Sequence, residues 1–379
     1  MSELICTKSS RPDSRFGLLL SVSVAGLLST GTVIAGQAVA EDSNTENPSV
    51  WLEIGGQLER ITGQGNPFAP NFLSKYADSV VLQQVTPVQA QRPPLFDFGE
   101  NGRIVLQPEG ADWQFAASVL YGRSSSFKHI DHQTNRVFTK YEGYVTDLEK
   151  FADTKVQRQE SHLLLDFSAG KDVGLGLFGR HGSSVLSAGV RFAQFTTKEN
   201  FHLNARPDLQ LQYKYPSHYG SIHFLPDRRF HTYQATGLAT RSFVGVGPSL
   251  SWTGSVPILG EQGSGQVSID WGANAALLFG KQKAHTAHHE TGRYDHNVFP
   301  GYTTLYINPI NGHDTNRNVV VPNVGGFAGA TWRIQNFKLS LGYRADLFFG
   351  AVDVGVDQRH SGTLSFYGPF AAISVGLGG

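Results

Sequence analysis

Apolar and polar residues alternate over long stretches of this chain. From Val267 to Phe279 every odd position is apolar or alanine, while the even positions hold Ser268, Asp270, Gly272, Asn274, Ala276 and Leu278. A helix would scatter these side chains around its circumference. A strand gathers Val267, Ile269, Trp271, Leu277 and Phe279 on one face. The stretch from Phe337 to Phe349 repeats the pattern, with Phe337, Leu339, Leu341, Tyr343, Ala345, Leu347 and Phe349 set against Lys338, Ser340, Gly342, Arg344 and Asp346. Phe115, Val119 and Tyr121 oppose Gln114, Ser118 and Gly122. Leu163, Leu165, Phe167, Val173, Leu175 and Leu177 oppose His162, Asp166, Ser168, Asp172, Gly174 and Gly176. Val244, Val246, Leu250 and Trp252 oppose Gly245, Gly247, Ser249 and Ser251, and less regular alternation runs through 50–60, 102–108, 184–196, 319–334 and 363–377.

Ten strands are therefore predicted, several of them 12 residues or more. That exceeds the roughly 5–6 residues of soluble strands and suits a bilayer, which takes about 9–11 tilted residues to cross. The connections alternate in length. Short ones fall near 109–112, 178–183, 253–264 and 335–336, and long ones at 61–101, 124–160, 197–235, 280–318 and 350–362. This is the layout of an all-β fold, a transmembrane antiparallel up-and-down β-barrel with short periplasmic turns and long extracellular loops. Eight and twelve are the neighbouring even strand counts. In that topology Trp51, Trp113, Trp252, Trp271 and Trp332 all fall toward the short-turn side, as an interfacial aromatic girdle would. The competing architecture is a soluble periplasmic β-sandwich or lipocalin-like barrel, which would turn its long aliphatics inward.

Composition narrows the class. The 379 residues carry 31 Lys+Arg against 31 Asp+Glu, with 43 Gly and only 16% charged residues. Balanced charge argues against a nucleic-acid partner. The single cysteine, Cys6, excludes a disulfide framework and a thiolate metal site. Lys8, Arg11 and Arg15 precede an apolar run from Phe16 to Leu28, and Ala38-Val39-Ala40 follows. That order predicts a secretory signal peptide at 1–40, leaving 41–379 as the barrel. No later stretch is apolar for 18 residues, so entry into a membrane must be by strands.

The alternation places charges on the narrow, lumen-facing side: Glu53, Glu59, Asp166, Asp172, Asp270 and Asp346, with Arg191, Arg241, Arg333, Lys338 and Arg344. They could line a pore and set its selectivity, with Arg191, Arg241, Arg333 and Arg344 facing Asp166, Asp270 and Asp346. They could equally pair and close the lumen, because eight strands leave room only for side chains. Histidines concentrate in the long connections. His285, His288 and His289, beside Glu290, form the densest group, and His129 with His132 another. They are candidate metal ligands, set against the simpler reading of solvated loops. His360 near Asp353 and Asp357 could belong to a hydrolytic site, but no nucleophile motif accompanies them. The chain is accordingly read as a non-enzyme without cofactor. Tyr141, Tyr144 and Phe151 mark a surface loop or short helix at 138–156, and the Pro- and Gln-rich 61–101 could fold over the barrel.

Four segments carry a family resemblance: Ser187-Ala188-Gly189-Val190-Arg191-Phe192-Ala193, Gly245-Val246-Gly247-Pro248-Ser249-Leu250, Val324-Gly325-Gly326-Phe327-Ala328-Gly329 and Tyr367-Gly368-Pro369-Phe370. In order and spacing the chain resembles the Legionella-type major outer membrane protein family. The resemblance implies a porin-like, surface-exposed outer-membrane barrel and brings no catalytic residues. One departure is the end, Val375-Gly376-Leu377-Gly378-Gly379, which lacks a terminal aromatic and leaves Phe370 or Leu377 as the assembly signal. The expected function is a porin-like channel for ions or small solutes in the Gram-negative outer membrane. A closed structural or adhesin-type surface barrel is the alternative, and a barrel hydrolase a third reading. Expected partners are outer-membrane lipid and the barrel assembly machinery, with lipopolysaccharide or a host surface at the loops.

Overall fold

The computed structural model describes residues 49–63, 95–108, 111–123, 127–141, 144–174, 183–206, 210–216, 222–261, 264–296, 303–308, 312–356 and 358–377. The expected signal peptide and most of the 61–101 connection lie outside these residues. Thirteen strands are present among them: β1 (Val50–Thr62), β2 (Leu95–Leu106), β3 (Trp113–Arg123), β4 (Phe127–Tyr141), β5 (Tyr144–Asp172), β6 (Ser183–Arg206), β7 (Gln210–Pro216), β8 (Ile222–Leu259), β9 (Gln266–His296), β10 (Thr303–Asn308), β11 (Asp314–Ile334), β12 (Phe337–Asp353) and β13 (Ser361–Leu377). No helix among them is long and apolar enough to cross a membrane.

Ten of the strands close a ring. The order is β1-β2-β3-β5-β6-β8-β9-β11-β12-β13, and β13 returns to β1. Every neighbouring pair is antiparallel, so the sheet is an up-and-down barrel without a free edge in the wall. The remaining three are annexes: β4 pairs with β5, β7 with β8 and β10 with β9.

The outward face is apolar over a defined band. Leu52, Ile54 and Leu58 on β1 and Leu341, Tyr343, Leu347 and Phe349 on β12 are all exposed, whereas Gln57, Glu59 and Asp346, of opposite parity, are buried. On β9 the band runs from Ile269 to Phe279, after which Lys281, Lys283 and His285 take the outward positions. That length matches the roughly 9–11 tilted residues of a membrane-spanning strand. A soluble barrel would invert this polarity. Leu341, 56% exposed, stands in the apolar band, and its neighbour Ser340 points inward, where its hydroxyl meets that of Thr331 at 2.7 Å. Leu341→Arg should therefore cost about 2–4 kcal/mol near the bilayer midplane, and Ser340→Arg clearly less. Equal loss of folding yield in vesicles for the two variants would contradict this polarity.

Several strands outrun the membrane. β5, β6, β8 and β9 have 29, 24, 38 and 31 residues. Much of what the sequence marks as loop at 124–160, 197–235 and 280–318 is strand, continued above the apolar band with a polar outward face. Tyr141 and Tyr144 are register partners at the end of the β4–β5 pair, so 138–141 and 144–156 are strand rather than a surface helix. At the opposite end β5 stops at Asp172, so Val173 belongs to the turn, and Leu175 and Leu177 lie outside the described residues. The expected turn at 178–183 therefore begins earlier. The tight connection at 335–336 is as expected, with Gln335 in the left-handed region at φ 47°. All five tryptophans sit toward the short-turn end, as the alternation implies. Trp113, Trp252 and Trp332 are exposed outward. Trp51 instead turns into the barrel.

Candidate functional site

The interior has two halves of different chemistry. Nearest the short turns it is a polar vestibule. One cavity of about 240 Å³ is lined by Trp51, Glu53, Arg103, Asp270, Lys338 and Arg344, among others. A second, of about 140 Å³, adjoins it through Glu53, Arg103, Phe327 and Arg344 and reaches Asp166, Arg191 and Asp346. Aromatic faces hold several of the cations. Lys338 Nζ lies 3.7 Å from the Trp51 ring centre, and the Arg333 guanidinium lies 5.2 Å from it. Arg344 lies 5.4 Å from the Phe370 ring and 6.0 Å from the Phe327 ring. Ser255 and Ser268 donate to the Asp270 carboxylate at 2.6 and 2.9 Å.

Arg191 is the hub at the top of the vestibule. Its Nε and Nη2 donate to the two carboxylate oxygens of Asp166 at 2.6 and 3.1 Å, and its Nη1 donates to Asn274 at 2.7 Å and to Asn323. The Asp346 carboxylate lies 3.9 Å away. β5 and β6 pair Asp166 with Arg191, and Gly325 lies in register with both Asn274 and Asp346. A Cβ at Gly325 would collide with the Asp346 carboxylate. The bare backbone thus makes room for two polar side chains around one guanidinium.

Above the hub the barrel is filled by hydrocarbon. Ile61, Leu120, Leu164, Phe195, Phe243, Leu278, Val321, Phe348, Leu364 and Phe366 are all buried, and every barrel strand except β2 contributes to this layer. Phe195 is central: its ring lies 4.6 Å from Phe348, 5.5 Å from Phe366 and 5.9 Å from Phe243. Gly350, at φ 71°, sits where the β12 register shifts between Phe348 and Val352, and Ala351 and Val352 are then buried in succession. The layer offers a hydrated ion no polar partner. The alternatives of a charge-lined pore and a lumen filled by ion pairs both leave this apolar layer out. This is a packed apolar core, flanked by ion pairs on both sides.

On the far side of the layer buried charge reappears. His162 Nε2 lies 3.0 Å from Glu59, its Nδ1 3.6 Å from Glu160, and its ring centre 4.3 Å from that of Phe366 at a tilt of 45°. Arg241 lies 3.6 Å from Glu199, and its Nε donates to the Asp353 carbonyl at 2.8 Å. All eight proposed lumen residues (Asp166, Arg191, Arg241, Asp270, Arg333, Lys338, Arg344 and Asp346) thus face the interior, but Arg241 is cut off from the rest by the apolar layer. Arg241 does not face Asp166 or Asp270. Asp172 departs from expectation: at the end of β5 its carboxylate accepts the Gly174 and Ser184 amides and fastens a turn.

Among the described residues the histidine and hydrolase candidates do not assemble. β9 continues through His296, so alternation turns the exposed His285 and His289 outward and the buried His288 inward. Strand geometry separates what a loop of the same spacing would let meet, and no metal-binding group occurs among the described residues. The side chains of His129, His132 and Glu290 lie outside the description, as does Asp357. His360 meets Asp353 only through its backbone amide, which donates to the carboxylate at 2.9 Å. Phe370 points into the vestibule, and Leu377 is exposed outward.

Asp353 anchors the β12–β13 connection. Besides His360 it accepts the Gly355 amide at 3.1 Å, the Thr315 hydroxyl at 3.0 Å and His313 Nε2 at 3.2 Å. His313 precedes β11, above the apolar band. Its Nδ1 donates to the Val356 carbonyl at 2.7 Å, and Thr286 Oγ1 lies 3.3 Å from the same nitrogen. Thr286, His313 and Asp353 have the composition of a hydrolytic triad but not its polarity. The nitrogen facing Thr286 carries a proton committed to Val356, so it cannot take one from the hydroxyl. Burial disfavours the charged imidazole, but the Val356 carbonyl and then Asp353 outweigh it, so the His313 pKa stands above its ordinary 6.5. A raised folded-state pKa means stabilisation that is complete below the unfolded value and lost as pH rises through the folded one. The unfolding midpoint in urea should accordingly fall as pH rises from the ordinary 6.5 through the raised folded-state value, and His313→Gln should remove that step. An unchanged pH profile in the variant would show that His313 has no part in it.

No protein-family model matches the chain, and no curated protein matches it. Among solved structures it is similar to the P. putida toluene transporter TodX, at 10% identity and TM-score 0.18, over 87% of this chain and 91% of that one. It is also similar to a deltaS2 mutant of the TodX monoaromatic hydrocarbon channel, at 8% identity and TM-score 0.17, over 88% and 90% of the two chains. Overlap at that level carries no argument about this chain, whose assignment as a ten-strand antiparallel membrane-type barrel stands on its own closed ladder and outward apolar band.

Proposed function

We propose that the protein is an outer-membrane β-barrel closed to ions at rest, which works through the surface built on its long strands. The observation that carries this reading is the apolar layer: Phe195, Phe243, Phe348, Leu278 and Leu364 are 0% exposed, inside a barrel too narrow to route water around them. The extension of β5, β6, β8 and β9 beyond the apolar band supports it further, since a simple pore has no use for so much wall above the bilayer. The motifs resembling the Legionella-type major outer membrane protein family accord with an outer-membrane location.

A porin-like channel is the second reading, favoured by the vestibule. Charged and aromatic side chains there surround two adjoining cavities, as they would at the mouth of a pore gated by the layer above. Single-channel recording of the refolded chain in a planar bilayer separates the two. The closed reading expects insertion without discrete steps. Regular openings in the unmodified protein, altered by Arg344→Gln, would establish the channel instead.

A further inference from the structure

We propose that the outward face of β6, β8 and β9, just above the apolar band, binds the phosphate headgroup of an anionic membrane lipid. On β9, Lys281 and Lys283 are exposed and point away from the barrel, directly above Phe279. Register places Lys283 beside Ser242 on β8 and Asn316 on β11, and Lys281 beside Asn318. Lys198 on β6 shares this outward face, opposite Thr240. Ammonium groups, hydroxyls and amides thus form one patch of hydrogen-bond donors, and two lysines two residues apart on one strand face lie about 7 Å from each other, close enough to flank a phosphate.

The position of the patch selects its occupant. Immediately below it Phe279, Val246 and Val320 are exposed at 53%, 49% and 53%, which suits acyl chains. A ligand meeting both surfaces must be anionic at one end and apolar at the other. Among the described residues no carboxylate lies within ion-pair distance of Lys198, Lys281 or Lys283, and Asp314, an outward acid on the adjoining β11, is bonded to His285. At the short-turn end the outward Lys171 is instead neutralised by Asp112 at 3.2 Å. Basic groups at a bilayer surface attract anionic lipid, and an uncompensated cluster does so far more than a paired lysine.

This inference rests on the reading of the chain as a membrane barrel. The test is native mass spectrometry of the refolded full chain, released from micelles containing equal amounts of dioleoylphosphatidylglycerol and dioleoylphosphatidylcholine. The unmodified protein should retain phosphatidylglycerol in preference, and Lys281→Gln with Lys283→Gln should cut that preference at least several-fold. Lys171→Gln should leave it unchanged. Both variants alter exposed side chains, and a preserved heat-dependent gel shift checks that they are folded. Equal retention by the double variant, an equal loss from Lys171→Gln, or complete displacement of the lipid by millimolar inorganic phosphate would each overturn the lipid site while leaving the barrel in place. Failure of the unmodified chain to insert into vesicles would overturn the membrane reading and this site with it.

Discussion

Phe195→Ala should destabilise the barrel by roughly 3–5 kcal/mol, the cost of truncating a fully buried aromatic that its neighbours cannot replace. Phe195 is 0% exposed and contacts the rings of Phe348, Phe366 and Phe243. The surrounding wall is held by a closed hydrogen-bond ladder, so it cannot collapse inward to fill the gap. Urea titration followed by the heat-dependent gel shift measures the loss. The same substitution weakens the only apolar seal described in the lumen. In a planar bilayer, Phe195→Ala combined with Phe366→Ala should give discrete conductance steps that the unmodified chain lacks. A variant that loses stability yet stays silent would place an additional block elsewhere in the barrel. A variant that unfolds at the same urea concentration as the parent would mean the layer is not packed as described.

Arg191→Met should cost about 3–5 kcal/mol, because it leaves Asp166 and Asp346 facing each other without their common cation. Arg191 is 7% and Asp346 6% exposed, so water can do little to compensate. Much of that loss belongs to the orphaned carboxylates rather than to the guanidinium. Adding Asp166→Asn and Asp346→Asn to Arg191→Met should therefore recover a large part of it, a non-additivity that urea titration of the three backgrounds would detect. Additive losses would mean that the three side chains act independently, against the geometry of the hub.

The wall was legible from period-2 alternation because each strand carries its own record of the two faces. Val267 to Phe279 and Phe337 to Phe349 needed no information from elsewhere to declare which side is apolar. The lumen parity of Asp166, Arg191, Asp270 and Asp346 followed from the same rule. What failed was the reading of segments where both parities are apolar. Leu277-Leu278-Phe279 and Leu347-Phe348-Phe349 each break the alternation, and both breaks fall in the sealing layer. That was the available signal for the plug. It looks like noise in a single strand and gains meaning only when the ring brings such breaks to the same height as inward apolar residues of other strands, such as Phe195 and Leu364.

The extended strands were misread for a related reason. Above the membrane both faces of β5, β6, β8 and β9 carry polar residues, so alternation vanishes although the ladder continues. Backbone pairing there is set by the neighbouring strand, and no local pattern reports it. His285, His288 and His289 show the consequence: as loop residues they could converge, but on one strand His288 turns inward while His285 and His289 turn outward, four positions apart.

Period-two alternation alone reveals a barrel of about ten strands with an apolar outer face and an interior bearing charge of both signs, because side-chain direction in a strand is a local property. Which charges meet, the anchoring of a connection by Asp353, and the packing of phenylalanines from distant strands across the lumen emerge only when the barrel closes. Those outcomes depend on strand stagger around a closed ring, which brings residues far apart in the chain to one height in the barrel, and no single strand encodes that stagger.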